Sequence, residues 1–87
     1  MLQDQLLINR KWLFEQVIKE HEKQVAKWGI QTKTPFEWLA FLTEEVGEVA
    51  QAISEEEWRN GSPEDVVKEA IQVATLALKI AEMYRGE

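Results

Sequence analysis

Apolar residues recur at intervals of three and four along most of the chain, which is the period of an amphipathic α-helix. Two clusters of helix-breaking residues interrupt this pattern, one at 28–35 and one at 60–63. The pattern predicts three helices, at about residues 3–28, 35–58 and 63–85, and no segment has the alternation of a β-strand. The fold class is therefore expected to be all-α, a helical bundle in one domain that spans the 87 residues.

The start signals of the second and third helices are nearly the same. Thr34-Pro35-Phe36-Glu37 and Ser62-Pro63-Glu64-Asp65 each place a hydroxyl at the N-cap, proline at the first helical position and an acid at the third. Gly29 is expected to end the first helix, and Asn60-Gly61 the second.

The lengths and apolar faces of the helices favour self-association. A first helix over 3–28 would be about 38 Å long, which is too long for a compact chain of this size. The third helix is apolar over a wide arc, from Leu76 through Val73 to Val67 and Ile71, and one neighbour would not cover it. A homo-oligomer, either dimer or tetramer, is therefore expected.

Composition narrows the classes of partner. Sixteen acidic and ten basic residues give a net charge of -6, which would repel a nucleic acid polymer. The absence of cysteine excludes disulfides, thiolate metal sites and a cysteine nucleophile. The apolar runs are too short to cross a bilayer, so no membrane partner and a cytoplasmic location are expected.

One acid of the second helix lies where an ordinary core would place an apolar residue. On a helical wheel, Glu45 falls inside the apolar arc, between Ala52 and Trp38. Burial of an unpaired carboxylate is strongly unfavourable, so this position needs an explanation. Glu44 and Glu48 lie at one edge of the same arc.

The third helix repeats the anomaly, because Glu69 falls between Leu76 and Ile80 and Gln72 lies at the rim of the arc. If the two faces pack together, the acids converge and repel one another unless a cation neutralises them. Hard oxygen ligands suit Mg²⁺, with Mn²⁺ as a second possibility, and a single histidine without cysteine does not make a zinc site. The alternatives are a structural ion-pair network across subunits and, for Glu44 alone, a solvated helix face.

The segments Glu44-Glu45-Val46-Gly47-Glu48 and Glu69-Ala70-Ile71-Gln72, separated by twenty residues, resemble the EExxE and ExxD motifs of the MazG-like all-α nucleoside triphosphate pyrophosphohydrolases. The segment 24–31, which contains Trp-Gly, is similar to the one that precedes the first motif, and the resemblance covers about residues 20–82. It implies metal-dependent hydrolysis of an NTP or dNTP to the monophosphate and pyrophosphate, by in-line attack of water.

The resemblance also implies roles for individual residues. Glu45, Glu48, Glu69 and Gln72 would hold the catalytic Mg²⁺, and Glu44, the other catalytic candidate with Glu45, would bind a second ion or orient water. The family's second motif ends in Asp, whereas this chain has Gln72, whose amide oxygen ligates without charge. A non-catalytic helical oligomer that binds a nucleotide or a partner protein through the same acidic groove is therefore the alternative function. A purely structural bundle is the third.

Four residues are candidates for contacts with the nucleotide: His21, Trp28, Trp58 and Lys79. His21 lies on the apolar face of the first helix, so it either packs in the core or contacts a base or phosphate. Trp28 and Trp58 lie near helix ends, where an indole ring either packs or stacks on a base. Lys27, Lys33 and Lys79 are candidates for the triphosphate or solvated lysines, and the remaining tryptophans, Trp12 and Trp38, are expected in the core.

Overall fold

The computed structural model describes residues 10–29 and 33–85, except for the side chain of Trp28. The described chain forms three helices and contains no strand, which confirms the all-α prediction. They are α1 (Arg10–Trp28), α2 (Pro35–Trp58) and α3 (Pro63–Tyr84). The predicted bounds of the second helix are confirmed, α3 ends one residue earlier than expected, and the predicted start of the first helix lies outside the described residues.

The start of α2 has the predicted capping box. The backbone N–H of Glu37 donates to Thr34 Oγ1 at 3.2 Å, and the backbone N–H of Thr34 donates to Glu37 Oε1 at 2.8 Å. This backbone hydrogen bond from Thr34 lowers the pKa of the Glu37 carboxyl. Two N–H groups that a helix start leaves without partners are therefore satisfied locally.

The start of α3 differs from the predicted pattern in one detail. Ser62 is the N-cap and Pro63 opens the helix, as expected, but the acid that contacts the cap is Glu64 rather than Asp65. The backbone N–H of Glu64 donates to Ser62 Oγ at 3.1 Å, and the Ser62 hydroxyl donates to the Glu64 carboxylate. The hydroxyl lowers the pKa of Glu64 and fixes the first turn.

Left-handed residues end the first two helices where the sequence predicts. Gly29 has φ 76° and donates its N–H to the Val25 carbonyl at 2.7 Å. After α2, Asn60 has φ 60° and the N–H of Gly61 donates to the Glu55 carbonyl at 2.8 Å. A Cβ atom on Gly61 would lie 2.9 Å from that of Glu55, so only glycine fits this turn. The short connection makes α2 and α3 an antiparallel pair.

The central helix is α3, because both α1 and α2 pack against it. Its most buried residues are Thr75, which is 2% exposed, and Leu76, which is 7% exposed. The Thr75 hydroxyl donates to the Ile71 carbonyl at 2.8 Å, so this buried polar group has a partner within its own helix. Leu76 belongs to the predicted apolar arc of α3, whereas the position of Thr75 was not anticipated.

The apolar surface of the helices is wider than the part that neighbouring helices of the same chain cover. On α2, Leu42 and Val49 are partly covered, while a second stripe on the same helix stays exposed: Phe36, Leu39, Val46 and Ile53. Trp12, expected in the core, is 43% exposed. Within the described ranges, no helix is long and apolar enough to cross a membrane.

Candidate metal centre and adjoining cavity

Glu45 is the half-buried centre of a group of carboxylates at the contact between α2 and α3. Burial raises the pKa of its carboxyl to about 7, together with a hydrogen bond to Glu69 and the charge of Glu48. Two carboxyl groups can share a hydrogen bond only when one of them holds a proton. Without that proton, a cation between them is needed to offset their repulsion. Glu45, which the helical wheel places in the apolar arc of α2, therefore contacts Glu69 of α3.

The amide of Gln72 lies against both of these carboxylates. With its nitrogen directed toward them, Gln72 donates to Glu69 Oε1 at 2.9 Å and to Glu45 Oε2 at 2.7 Å. In the opposite orientation, the amide oxygen would face only carboxylate oxygens, so the nitrogen-inward orientation is the one that satisfies the group. Gln72 thus bridges the two acids, and rotation about its last bond would present an oxygen instead.

A second, overlapping group lies on α2 alone. Ligand oxygens of Glu44, Glu45 and Glu48 all lie within 4.8 Å of one another. Glu45 is half-buried and its two neighbours are exposed. The structure therefore brings the predicted metal residues around Glu45 in two sets, one within α2 and one across to Glu69 and Gln72.

Gly47 lies between these glutamates in sequence, and a Cβ atom there would have no neighbour within 4 Å. Within the described part of the chain, no other element therefore packs closely against Gly47. The ligand atoms around Glu45 are carboxylate oxygens, and rotation of the Gln72 amide would add an amide oxygen. Such oxygen ligands suit Mg²⁺ or Mn²⁺ and not a soft metal.

A cavity of about 1060 Å³ adjoins the carboxylates. It opens between α1 and α2, with Thr75 and Leu76 of α3 among its lining residues. Glu45 and Gln72 line it as well, so the central carboxylate and the bridging amide face this space. The volume is just above the usual range for small-molecule sites, which is about 300–1,000 Å³.

Two aromatic residues and two lysines of the cavity form contacts. The rings of Trp38 and Phe41 meet edge to face, with centroids 6.2 Å apart. Lys79 Nζ lies 5.1 Å from the centroid of Trp38, and Lys33 Nζ lies 5.3 Å from that of Phe41. Aromatic and cationic side chains therefore line the cavity beside the carboxylates of Glu20, Glu22, Glu45 and Glu82.

Two of the four candidates for nucleotide contacts, His21 and Lys79, line the cavity. His21 is exposed and lines the cavity rather than the core, and Lys79 lines it too. Trp58 ends α2, is 80% exposed and does not line the cavity. It lies thirteen positions after Glu45, about 20 Å along the helix. The side chain of Trp28 lies outside the described part of the structure.

Several cavity residues are not among the predicted candidates, including Gln24, Trp38 and Phe41. Gln24 lies three residues after His21, on the same face of α1, and this spacing was the available signal. Trp38 was assigned to the core because it lies in the apolar arc, but α3 covers that arc only in part.

The sequence matches no protein-family model, and neither a curated protein nor a solved structure matches it. The MazG-like resemblance therefore rests on the two motifs and the Trp-Gly segment. The geometry that accompanies the motifs is the meeting of Glu45, Glu69 and Gln72 across two helices.

Proposed function

We propose that the chain is a metal-dependent nucleoside triphosphate pyrophosphohydrolase of the MazG-like type, which converts an NTP or dNTP to the monophosphate and pyrophosphate. The contact between Glu45 and Glu69 carries this proposal, because it joins acids of both motifs. Glu45 and Gln72, one residue from each motif, also line a cavity large enough for a nucleotide. A pair of motifs that only lay on two helices without meeting would not support it.

The residues around Glu45 fit a hard divalent cation. Glu45, Glu48 and Glu69 supply carboxylate oxygens, and Gln72 supplies an amide oxygen once its amide rotates. A bound Mg²⁺ lowers the pKa of water and offsets charge on the phosphates. Its positive charge would also offset the repulsion around Glu45, so the raised pKa of this carboxyl would fall when the site is loaded.

Glu44 is the chain's candidate for orienting the attacking water. It is exposed, and its carboxylate lies within 4.8 Å of the ligand oxygens of Glu45 and Glu48. A carboxylate at this distance from a metal site can accept a proton from water or hold a second ion. No covalent nucleophile is required for in-line attack by water.

The bridge made by Gln72 favours a second candidate function, a non-catalytic oligomer that binds a nucleotide or partner protein through the same groove. An amide that donates to both Glu45 and Glu69 reduces their repulsion without a metal. In that case Gln72 is a neutral donor at the position where the family has a negatively charged aspartate, and the groove binds without hydrolysis.

Product analysis separates these functions. Purified protein is incubated with a panel of NTPs and dNTPs, with Mg²⁺ or Mn²⁺, and the products are resolved by ion-exchange chromatography. Monophosphate with pyrophosphate supports the hydrolase. Diphosphate with phosphate contradicts it, and nucleotide binding without turnover supports the binding protein.

We also propose that the working form is a homo-oligomer, either dimer or tetramer. Large apolar side chains stay exposed on the described part of the chain, among them Phe36, which is 82% exposed, and Val46, which is 51% exposed. The uncovered stripe of α2, which contains Leu39, Val46 and Ile53, lies on a different face from Glu45. A second copy on this stripe would therefore leave the carboxylates accessible.

Substitution of the stripe tests the assembly. Val46→Glu places a charge in the middle of the stripe and is expected to shift the chain to a smaller species in light scattering. Gln51→Glu adds the same charge at an exposed position outside the stripe and serves as the control. A folded monomer of the unchanged protein at all concentrations would contradict self-association.

A further inference from the structure

Lys79 connects all three helices at the wall of the cavity. It belongs to α3, its Nζ donates to Gln24 Oε1 on α1, and the same Nζ lies 5.1 Å from the ring centroid of Trp38 on α2. Gln24 Nε2 donates in turn to Glu20 Oε2 at 2.7 Å. Because the nitrogen of Gln24 is engaged with Glu20, its oxygen faces Lys79, and this contact holds the ammonium in one place.

The ammonium of Lys79 offers only donors. It has three N–H groups and no acceptor, and one of them is directed to Gln24. The face of Trp38 interacts with its charge but accepts little hydrogen bonding. Lys79 is partly buried, and this burial lowers its pKa, while the charge of Glu20 acts in the opposite direction. A ligand that enters the cavity with an acceptor oxygen could accept a hydrogen bond from one of the remaining N–H groups of Lys79.

The position of Lys79 relative to the carboxylates indicates which part of a nucleotide it meets. Lys79 follows Gln72 by seven residues on α3, and Trp38 precedes Glu45 by seven residues on α2. Two turns of each antiparallel helix correspond to about 10.5 Å. If a metal and the phosphates of a nucleotide bind at the carboxylates, the base reaches the end of the cavity that contains Lys79 and Trp38.

We propose that Lys79, held by Gln24 and Trp38, recognises an exocyclic carbonyl of the nucleobase and selects keto over amino bases. This inference rests on the proposed binding of nucleotides and adds the substrate class. Inosine and adenosine differ at one exocyclic position, as do uridine and cytidine, with a carbonyl in the first of each pair and an amino group in the second. A donor-only side chain pairs with the carbonyl and opposes the amino group.

The test compares ITP with ATP and UTP with CTP, each with Mg²⁺, by the ratio of kcat/KM. We expect a preference for the keto nucleotide of about tenfold, the usual effect of one charged hydrogen bond at a partly open site. Lys79→Met keeps the alkyl chain and should bring both ratios close to one. Lys68→Met removes an exposed lysine of the same helix and should leave the ratios unchanged.

A second variant separates recognition from folding. Lys79→Gln has both a donor and an acceptor, so it should bind keto and amino bases alike, and circular dichroism checks that it remains helical. If Lys79 instead contacts phosphate, Lys79→Met lowers the activity on all four nucleotides equally and leaves the ratios unchanged. That result overturns the proposal while the hydrolase activity stands.

Calorimetry covers the case in which nothing is hydrolysed. Tighter binding of ITP than of ATP in the presence of Mg²⁺, lost in Lys79→Met, supports base recognition although the hydrolase proposal fails. Equal binding of the two nucleotides overturns base recognition alone. If neither nucleotide binds, both proposals are wrong.

Discussion

Two glutamate triplets on α2 have the same composition and different surroundings. The first triplet is Glu44, Glu45 and Glu48, and the second is Glu55, Glu56 and Glu57, near the end of the helix. In the second triplet, the pKa of Glu56 is raised mainly by a hydrogen bond with its neighbour Glu57. In the first, burial is the main cause for Glu45, and Glu69 of another helix contributes.

The difference shows what distinguishes a site from a crowded helix face. Adjacent acids perturb one another wherever they occur, and water screens most of the effect when they are exposed. The first triplet meets a carboxylate and an amide from α3 at the edge of a cavity. Only this meeting of two elements offers a cation ligands from more than one direction.

The largest expected effect is the loss of turnover in Glu45→Gln. This change keeps the shape of the side chain and removes a charge that the metal needs, so metal-dependent kcat/KM should fall by at least about a hundredfold. Glu56→Gln makes the same change in the second triplet and should retain full activity. Similar kinetics for both variants would show that the two triplets do not differ in function.

Gln72→Asp should have the next largest effect, on metal affinity. The variant adds a negative charge beside Glu45 and Glu69 and removes the donated hydrogen bonds, so Mg²⁺ should bind about tenfold more tightly. Nucleotide binding could weaken in the same variant, because the triphosphate is itself anionic. Ala70→Asp adds the same charge at an exposed position of α3 and is the control for calorimetric titration. Equal or weaker binding by Gln72→Asp would remove Gln72 from the ligand set.

The pH dependence of stability is expected to be a smaller effect. The pKa of Glu45 in the folded chain is about 7, against the usual 4.5, so the folded state keeps a proton that the unfolded state releases. This group therefore favours the fold fully below about pH 4.5, and its contribution is lost as the pH rises through 7. Because the carboxyl is only partly buried, the loss is about 1 kcal/mol after allowance for screening.

Thermal unfolding between pH 4.5 and 7.5 measures this loss in metal-free protein. Glu45→Gln should flatten the profile and be as stable as the unchanged protein or more so at pH 7.5, because one repelling acid is gone. Saturating Mg²⁺ should flatten it as well. A clear destabilisation of metal-free Glu45→Gln would point to a buried ion pair instead.

The smallest expected effect concerns the second triplet. Glu57→Lys replaces a repelling charge near the C-terminal end of α2 with one that the helix dipole favours. A slight rise in Tm, with unchanged turnover and unchanged Mg²⁺ affinity, is expected from differential scanning calorimetry and a kinetic assay. A loss of turnover would give the second triplet a role that its surroundings do not indicate.

Helix boundaries could be predicted because they depend on local chemistry. The hydroxyl caps of Thr34 and Ser62 and the left-handed end at Gly29 act through backbone groups within a few residues. The contact between Glu45 and Glu69 could also be anticipated, since both acids lie inside apolar arcs that pack together.

Other features depend on how helices distant in sequence align, which periodicity does not determine. The hydrogen bond from Lys79 to Gln24 joins residues 55 positions apart. Trp38 and Trp12 were expected in the core, but the arcs that contain them are wider than the faces their neighbours cover. The orientation of Gln72 follows from two carboxylates that become its neighbours only after folding.

A titration with Mn²⁺ followed by electron paramagnetic resonance tests most directly whether the carboxylates at the α2–α3 contact bind a divalent cation. The unchanged protein and Glu56→Gln should both remove free Mn²⁺ from solution at saturable sites, and Glu45→Gln should lose at least one of them. Equal binding by all three proteins, or none by any of them, would contradict a metal centre at Glu45.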